Sequence, residues 1–368
     1  MLTEELDYPL PESHIATAPA QPREAAKLMV IDRASGIIRH RHVRDLGTKD
    51  SPLNPNDLMV FNETRVLPAS FIAFRSETGG RVQGLYLNSQ TINGCPWWTV
   101  MFESRGTLRE GERLVLKDAD PPSFLELFKN KGQGIWRIQL VSSLTTMPLL
   151  EQIGQPPLPP YIRRARRHQG QDDHLETDID RYNTVFATDP GSIAAPTAAL
   201  HFSKSLLAAI DTLGINRAML TLHIGVGTFA PIRTQQVDDH PIHREWCRIP
   251  AATLELLQQA RTDGQRIIPI GTTCVRALES LPPDAMNRQE DYETSTGLLI
   301  TPTVSNGQPF CFRLTDGLLT NFHLPRSTLL ALVAALPGVG IERLKHWYHV
   351  AIDNGYRFYS YGDAMLLL

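Results

Sequence analysis

The chain switches twice between two hydrophobic rhythms. Near the front, Lys27–Asp32 and Asp57–Asn62 are apolar runs that predict buried strands. Arg33-Ala34-Ser35-Gly36 is a turn that folds Ile37–His40 back as a hairpin, and the second run ends in the polar cluster Asn62–Arg65. From about Ala69 to Val141 short alternating segments take over: Phe71–Phe74, Val82–Leu87, Trp97–Phe102, Arg113–Leu116 and Ile135–Leu140. Turns such as Thr78-Gly79-Gly80 and Asn130-Lys131-Gly132 separate them, which predicts a small antiparallel barrel or sandwich. Gly154–Tyr161 is a proline-rich return segment, expected to be extended and rigid.

From Arg181 onward strands alternate with helices. Ser203 is placed to cap a helix whose face is Leu206, Leu207, Ile210 and Leu213, with Gly214 as its stop. A strand follows, with Leu220, Leu222 and Ile224 on one face and Thr221 and His223 on the other. Pro250 opens a helix to about Thr262, and Ile267–Ile270 is a strand running into a helix that begins at Gly271-Thr272-Thr273. Phe310–Leu314 has a strand pattern, followed by a loop over Leu318–Pro325. Ser327 caps an almost wholly apolar helix to Leu336, and Ile341, Leu344, Tyr348, Ala351 and Ile352 mark another that stops near Gly355. Tyr356–Leu368 reads as a closing strand with a polar interruption. The pattern as a whole predicts an α/β fold: a larger α/β domain over residues 1–66 and 152–368, with an inserted small antiparallel β-barrel domain over 67–151.

Bulk properties narrow the picture without naming a chemistry. The 368 residues are 42% hydrophobic and 20% charged, the values of a soluble globular protein, with a formal net charge of −3. That charge argues against bulk attraction to nucleic acid but leaves room for a local basic stripe. The acidic start, Met1–Ser13, lacks an apolar core, which speaks against secretion. Cys95, Cys247, Cys274 and Cys311 are scattered and form no CxxC pair, so the expected compartment is a reducing cytoplasm.

Several constellations carry candidate chemistry. Pro190–Phe229 places His201 before a helix and His223 at the exit of a strand into Gly225-Val226-Gly227-Thr228, whose glycines allow backbone amides to approach a ligand. Gly271-Thr272-Thr273 at a helix start and Asn321-Phe322-His323 before a buried helix suit an anionic group. Each histidine alone also fits a structural hydrogen-bonding role. His240, His243 and Glu245 are close in sequence, but Pro241 breaks any helix that would align them as metal ligands, so no metal is expected. Glu245 reads instead as a buried acid or base whose pKa the adjacent Trp246 would raise. Arg163, Arg164, Arg166 and Arg167, followed by an acidic run, are either a solvated mixed-charge loop or an arm contacting phosphates. Dinucleotide (GxGxxG), P-loop (GxxxxGK[ST]) and nucleophile-elbow (GxSxG) motifs are absent.

Taken in order, longer stretches resemble one family. Ala194–Phe202, Thr221–Phe229, Gly271–Glu279, Leu319–Leu330 and Tyr356–Met365 are similar to signatures of the S-adenosylmethionine:tRNA ribosyltransferase-isomerase family of the queuosine pathway. So are Phe61–Ala69 and Pro157–Ile162. The resemblance implies a cytoplasmic, monomeric enzyme with a barrel inserted in an α/β domain. It implies transfer and isomerisation of the ribosyl part of S-adenosylmethionine, a consumed substrate rather than a cofactor, onto 7-aminomethyl-7-deazaguanine at the tRNA wobble position. It implies no metal. Under it, His201, His223, Glu245 and His323 are the candidates for proton transfer. Thr197, Gly225, Gly227, Thr228, Gly271, Thr272, Arg276, Thr320 and Asn321, with Tyr361 and Asp363 behind them, are candidates for substrate binding. Arg163, Arg164, Arg166 and Arg167 are the candidates for tRNA phosphates. The family's usual residues differ at Glu63, Gln83, Ala199 and the stretch Thr294–Pro302. Those departures keep two other readings open, an adenosyl or ribosyl transferase with a non-tRNA acceptor and a non-catalytic RNA-binding relative.

Overall fold

In the computed structural model, residues 1–229, 232–302 and 307–368 are described, the side chains of 228 and 229 excepted. Two open sheets and one closed barrel organise them. The first sheet has the order β14 (Ile267–Pro269), β3 (Leu58–Asn62), β12 (Asn216–Leu222), β13 (Glu245–Ile249), β15 (Tyr292–Thr296). Its first three strands are parallel; β14 and β3 are fully buried and almost wholly apolar, as strands covered on both faces must be, while β12 is exposed at Asn216 and buried from Leu220 on. The second sheet runs β16 (Leu318–Asn321), β17 (Ala364–Leu367), β1 (Lys27–Ile31), β2 (Ile38–His42), with the chain's last strand parallel to its first. A short parallel pair, β4 (Thr64–Val66) with β11 (Asp189–Ser192), lies beside the point where the barrel leaves the sheet.

The barrel closes in the order β10 (Ile135–Val141), β7 (Cys95–Ser104), β6 (Arg81–Ile92), β5 (Ser70–Arg75), β8 (Arg113–Leu116), β9 (Phe124–Gly132). Phe71, Trp98, Val100, Leu114, Leu125, Leu127, Trp136 and Ile138 alternate inward and fill it. Its entry and exit are stitched together, since Ser70 and Gln155 exchange both backbone hydrogen bonds at 3.0 and 2.8 Å. Helix α1 (Thr146–Ile153) seals its end, with the Trp98 indole N–H donating to Thr146 Oγ1 at 2.9 Å. The mixed α/β class and the inserted antiparallel barrel match the sequence pattern.

Several local readings change. Asn130-Lys131-Gly132 is not a turn but the end of β9, and the chain reverses at Gln133-Gly134. Phe310–Leu314 forms no strand. The Glu279 carboxylate takes the N–H groups of Arg313 and Leu314 and the Thr315 hydroxyl at 2.9, 3.0 and 2.7 Å, so a side chain replaces the ladder. The strand is β16, inside the expected loop, because its antiparallel partner β17 lies far away in sequence.

The arginine run is neither a loop nor a wholly exposed arm. Pro160 opens helix α2 (Pro160–His168), which leaves Arg164 and Arg167 exposed, Arg163 half-buried and Arg166 buried. Arg166 grips Asp178 bidentately at 2.6 and 2.8 Å and donates to the Thr17 carbonyl at 3.0 and 3.1 Å. Asp178 opens helix α3 (Asp178–Arg181), so this pair anchors the acidic segment and the N-terminal chain onto α2. Arg166 therefore has no donor to offer a phosphate, which corrects its assignment to tRNA. Breaking a buried ion pair on one side is costly. Arg166→Gln is expected to lower the urea unfolding free energy by about 3–5 kcal/mol, and Arg164→Gln to change it by no more than about 0.5 kcal/mol. Equal effects from the two would contradict this division.

Candidate active site

Edge strands of the two sheets, β14 and β16, meet where the site forms. Helix α6 (Thr272–Glu279) starts directly after β14, and Gly271 between them has φ +94°, a left-handed conformation that excludes most side chains. Its N–H donates to the Leu319 carbonyl at 2.7 Å, and Ile270 bridges Leu319. That link sets Gly271-Thr272-Thr273 beside Thr320, Asn321 and His323. Thr197, at the start of a 3₁₀ turn over Thr197–His201, closes the third side.

The side chains here hold one another in fixed orientations. Thr197 Oγ1 donates to Asn321 Oδ1 at 2.8 Å, and Asn321 Nδ2 donates to His201 Nε2 at 3.3 Å. Burial pushes the His201 imidazole down to about 4, with Asp363 opposing and Arg357 and Arg23 reinforcing, so it is the neutral acceptor this contact needs. The His323 Nε2 shares a 2.8 Å hydrogen bond with Thr320 Oγ1, and burial pushes this imidazole down to about 3. Its backbone is clamped by two tyrosines, the N–H donating to Tyr348 Oη at 3.0 Å and the carbonyl accepting from Tyr8 Oη.

These groups line a cleft of about 490 Å³ that is partly open to solvent. Its walls are Pro196, Thr197, Gly271–Thr273, Thr320–Leu324 and Leu329, with Tyr161 and Tyr359 across from them. The Thr273 hydroxyl is buried there without a hydrogen-bond partner. A second chamber of about 450 Å³ shares the Leu329 wall. Glu245, Arg276, Gly227, His240, His243 and Thr328 line it, with Leu298, Leu299 and Leu332 as its apolar side. Glu245 is ion-paired with Arg276 and accepts the Gly225 N–H at 2.9 Å. Gly227 is there because the His243 ring covers it, and an added Cβ would stand 2.1 Å from that ring. A third space, an open groove of about 2150 Å³, separates the barrel from the α/β body. Gln83, Leu85, Met101 and Glu103 of the barrel face Arg163, His174, Ala194, Gly225 and His243. The Nε of Arg163 and Nδ1 of His174 are buried there without partners.

The three spaces meet along Ala194–Thr197 and Ile224–Gly227, which is the stretch the sequence marked. Individual assignments change, however. His323, Thr197, Gly271, Thr272, Thr320 and Asn321 line the cleft. Gly227 and Arg276 line the chamber, and Gly225 lines the groove. His201 lies behind Asn321 and acts through it. His223 is elsewhere: its Nδ1 bonds Thr64 Oγ1 at 2.8 Å, its ring stacks on Trp246 at 4.9 Å, and it does not share a ligand with His201. Trp246 thus occupies the strand face opposite Glu245, so it is no apolar cover for that carboxylate, whose neighbour is Arg276. Tyr361 packs on Tyr182, and Asp363 accepts the N–H groups of Lys27 and Arg357, so both serve the core and not the cleft. The Thr228 side chain lies outside the described residues. Tyr161, Tyr359, His174 and His243 were not singled out as site residues, because only the packing of distant segments brings them here. Among the described residues no cluster of three or more His, Cys, Asp or Glu is placed to hold a metal, and no helix is long and apolar enough to cross a membrane.

The sequence profile of the family described as "Queuosine biosynthesis protein" matches residues 3–367. The chain is 40% identical to an S-adenosylmethionine:tRNA ribosyltransferase-isomerase of Gloeobacter violaceus, over all of this chain and 96% of the relative. It is 38% identical to one of the same name from Staphylococcus aureus, over the full length of both. Among solved structures, S-adenosylmethionine tRNA ribosyltransferase of Thermotoga maritima superposes with a TM-score of 0.52 at 31% identity, covering 99% of this chain and 100% of that one.

The two buried imidazoles make stability depend on pH. Their folded values lie below the unfolded value of about 6.5, so the unfolded chain takes up protons first as pH falls. Stability is fully present above the unfolded value and is lost through the window from 6.5 down to about 4 for His201 and about 3 for His323. Each histidine is expected to remove about 2 kcal/mol of unfolding free energy between pH 7 and pH 5. In urea titrations, His323→Gln should recover that share of the loss, whereas an unchanged pH dependence would contradict a neutral His323.

Proposed function

The chain belongs to the queuosine biosynthesis protein family, and from this we propose that it is an S-adenosylmethionine:tRNA ribosyltransferase-isomerase. It transfers and isomerises the ribosyl part of S-adenosylmethionine onto 7-aminomethyl-7-deazaguanine at the tRNA wobble position, giving epoxyqueuosine-tRNA, adenine and methionine. The observation that carries this reading is a cleft with a fixed amide and a neutral imidazole, Asn321 and His323, beside an open groove between the barrel and the α/β body. Readings without tRNA or without catalysis are not favoured, given the full-length match to enzymes of that name.

The adenosyl group occupies the cleft, and the target base enters by the groove. The sulfonium acidifies the hydrogens on the adjacent ribose carbon; a neutral imidazole in the cleft accepts one of them, and the ylide carbanion formed beside it offsets the burial that otherwise disfavours the imidazolium. His323 has that role. Asn321 orients the ribose, and His201 is a positioning residue that fixes which way the Asn321 amide faces. His243, where chamber and groove meet, takes the proton that the acceptor amine must lose before it attacks. S-adenosylmethionine is consumed, and the reaction uses no metal. Arg163 at the groove, with Arg164 and Arg167 beside it, meets the tRNA backbone. The enzyme acts as a monomer in the cytoplasm, a compartment that suits its four free cysteines.

Adenine release from S-adenosylmethionine, followed by chromatography, tests the proposal. Release should require tRNA carrying the aminomethyl-deazaguanine. His323→Gln should lower kcat by roughly 10²- to 10⁴-fold, while Arg164→Gln should raise the KM for tRNA and reduce its salt dependence by about one ion. Release that is independent of tRNA, or no release at all, would overturn it.

A further inference from the structure

The second chamber holds charges that the proton transfers leave unused. Arg276 donates from Nε to the Leu298 carbonyl at 3.1 Å and from Nη1 to Glu245, while its Nη2 has no partner among the described residues although the side chain is only 9% exposed. A buried guanidinium with idle donors is costly unless something else meets it. Helix α7 (Thr328–Ala335) begins at the same chamber. Ser327 Oγ accepts the Leu330 N–H at 3.2 Å, which leaves the amides of Thr328 and Leu329 at the positive end of the helix, and both residues line the chamber. These features all favour an anion. The Glu245 carboxylate on the same guanidinium disfavours a phosphate and favours a ligand with an ammonium a few ångströms from its negative charge. Leu298, Leu299, Leu329 and Leu332 add an apolar wall for a short unbranched chain, and Leu329 is also a wall of the adenosyl cleft.

We propose that the Arg276–Glu245 pair clamps the zwitterionic α-amino-acid end of S-adenosylmethionine. The carboxylate lies on Arg276 Nη2 and the start of α7, the ammonium lies on Glu245, and the thioether chain passes Leu329 to reach the cleft. The inference rests on the adenosyl reading of that cleft. It turns Glu245 from a candidate base into a binding residue, and it makes the chamber the place where free methionine remains after adenine and the ribosyl group have left.

Two measurements on the unaltered protein separate this claim from the reading beneath it. With modified tRNA saturating, decarboxylated S-adenosylmethionine should support adenine release with kcat/KM reduced roughly 10- to 100-fold, mainly through KM. Equal use of both compounds overturns the clamp and leaves the activity standing. Failure to release adenine from S-adenosylmethionine itself overturns the activity, and the clamp is then decided by calorimetry. L-methionine should bind the full chain at least about tenfold more tightly than 3-methylthiopropylamine or 4-methylthiobutanoate, and indistinguishable affinities overturn it. Arg276→Lys, which keeps the charge but loses the planar fork, should raise the KM for S-adenosylmethionine roughly tenfold or more, and a change under about twofold counts against the proposal.

Discussion

One backbone hydrogen bond, from the N–H of Gly271 to the carbonyl of Leu319, holds the site together. It joins the end of β14 in one sheet to β16 in the other, and it requires the left-handed turn that only a residue without a Cβ adopts easily. With it in place, the start of α6 and the polar end of β16 are neighbours, though almost fifty positions separate them along the chain. The cleft is therefore a seam between two sheets, and its walls are elements that the core already fixes. Behind it, Phe322, Leu330, Tyr348 and Phe358 pack as one apolar mass, so Asn321 and His323 are mounted on a rigid wall.

Rigidity matters because the polar groups at the seam work in a dry setting. The Asn321 amide cannot turn: Thr197 holds its oxygen and His201 holds its nitrogen. Both histidines are kept neutral by burial, which leaves His201 the acceptor that the Asn321 amide needs. Unpaired buried polar atoms mark each of the three spaces, Thr273 in the cleft, Arg276 in the chamber, and Arg163 and His174 in the groove. Buried polar atoms seldom go unpaired in a finished core, and four of the ten such side-chain atoms found among the described residues lie at these three spaces.

The sequence carried much of this, unevenly. Five of the six barrel strands were legible because their residues alternate with one face buried, whereas the far half of β9 is exposed on both faces and reads as a turn. The helices at Ser203 and Ser327 were legible because each serine accepts the N–H three residues on. The strand β16 was not, since its pairing with β17 is a long-range fact and its polar end mimics a loop. Phe310–Leu314 misled because alternation says nothing about a carboxylate such as Glu279 capturing the backbone. Among site residues, those on the seam were found from their motifs. His223 was assigned from its place between a strand and a glycine loop and Arg166 from a run of arginines, and only packing reveals that the first stacks on Trp246 and the second is locked to Asp178.

The central claim is that the seam formed by Thr197, Gly271–Thr273 and Thr320–His323 is the adenosyl site. A crystal structure of the full chain with a non-reactive S-adenosyl analogue tests it most directly. The account predicts the ribose within hydrogen-bond reach of Asn321 and His323, with the amino-acid end turned past Leu329. An adenosyl group seated in the barrel groove, or against Trp246 and His223, would contradict it.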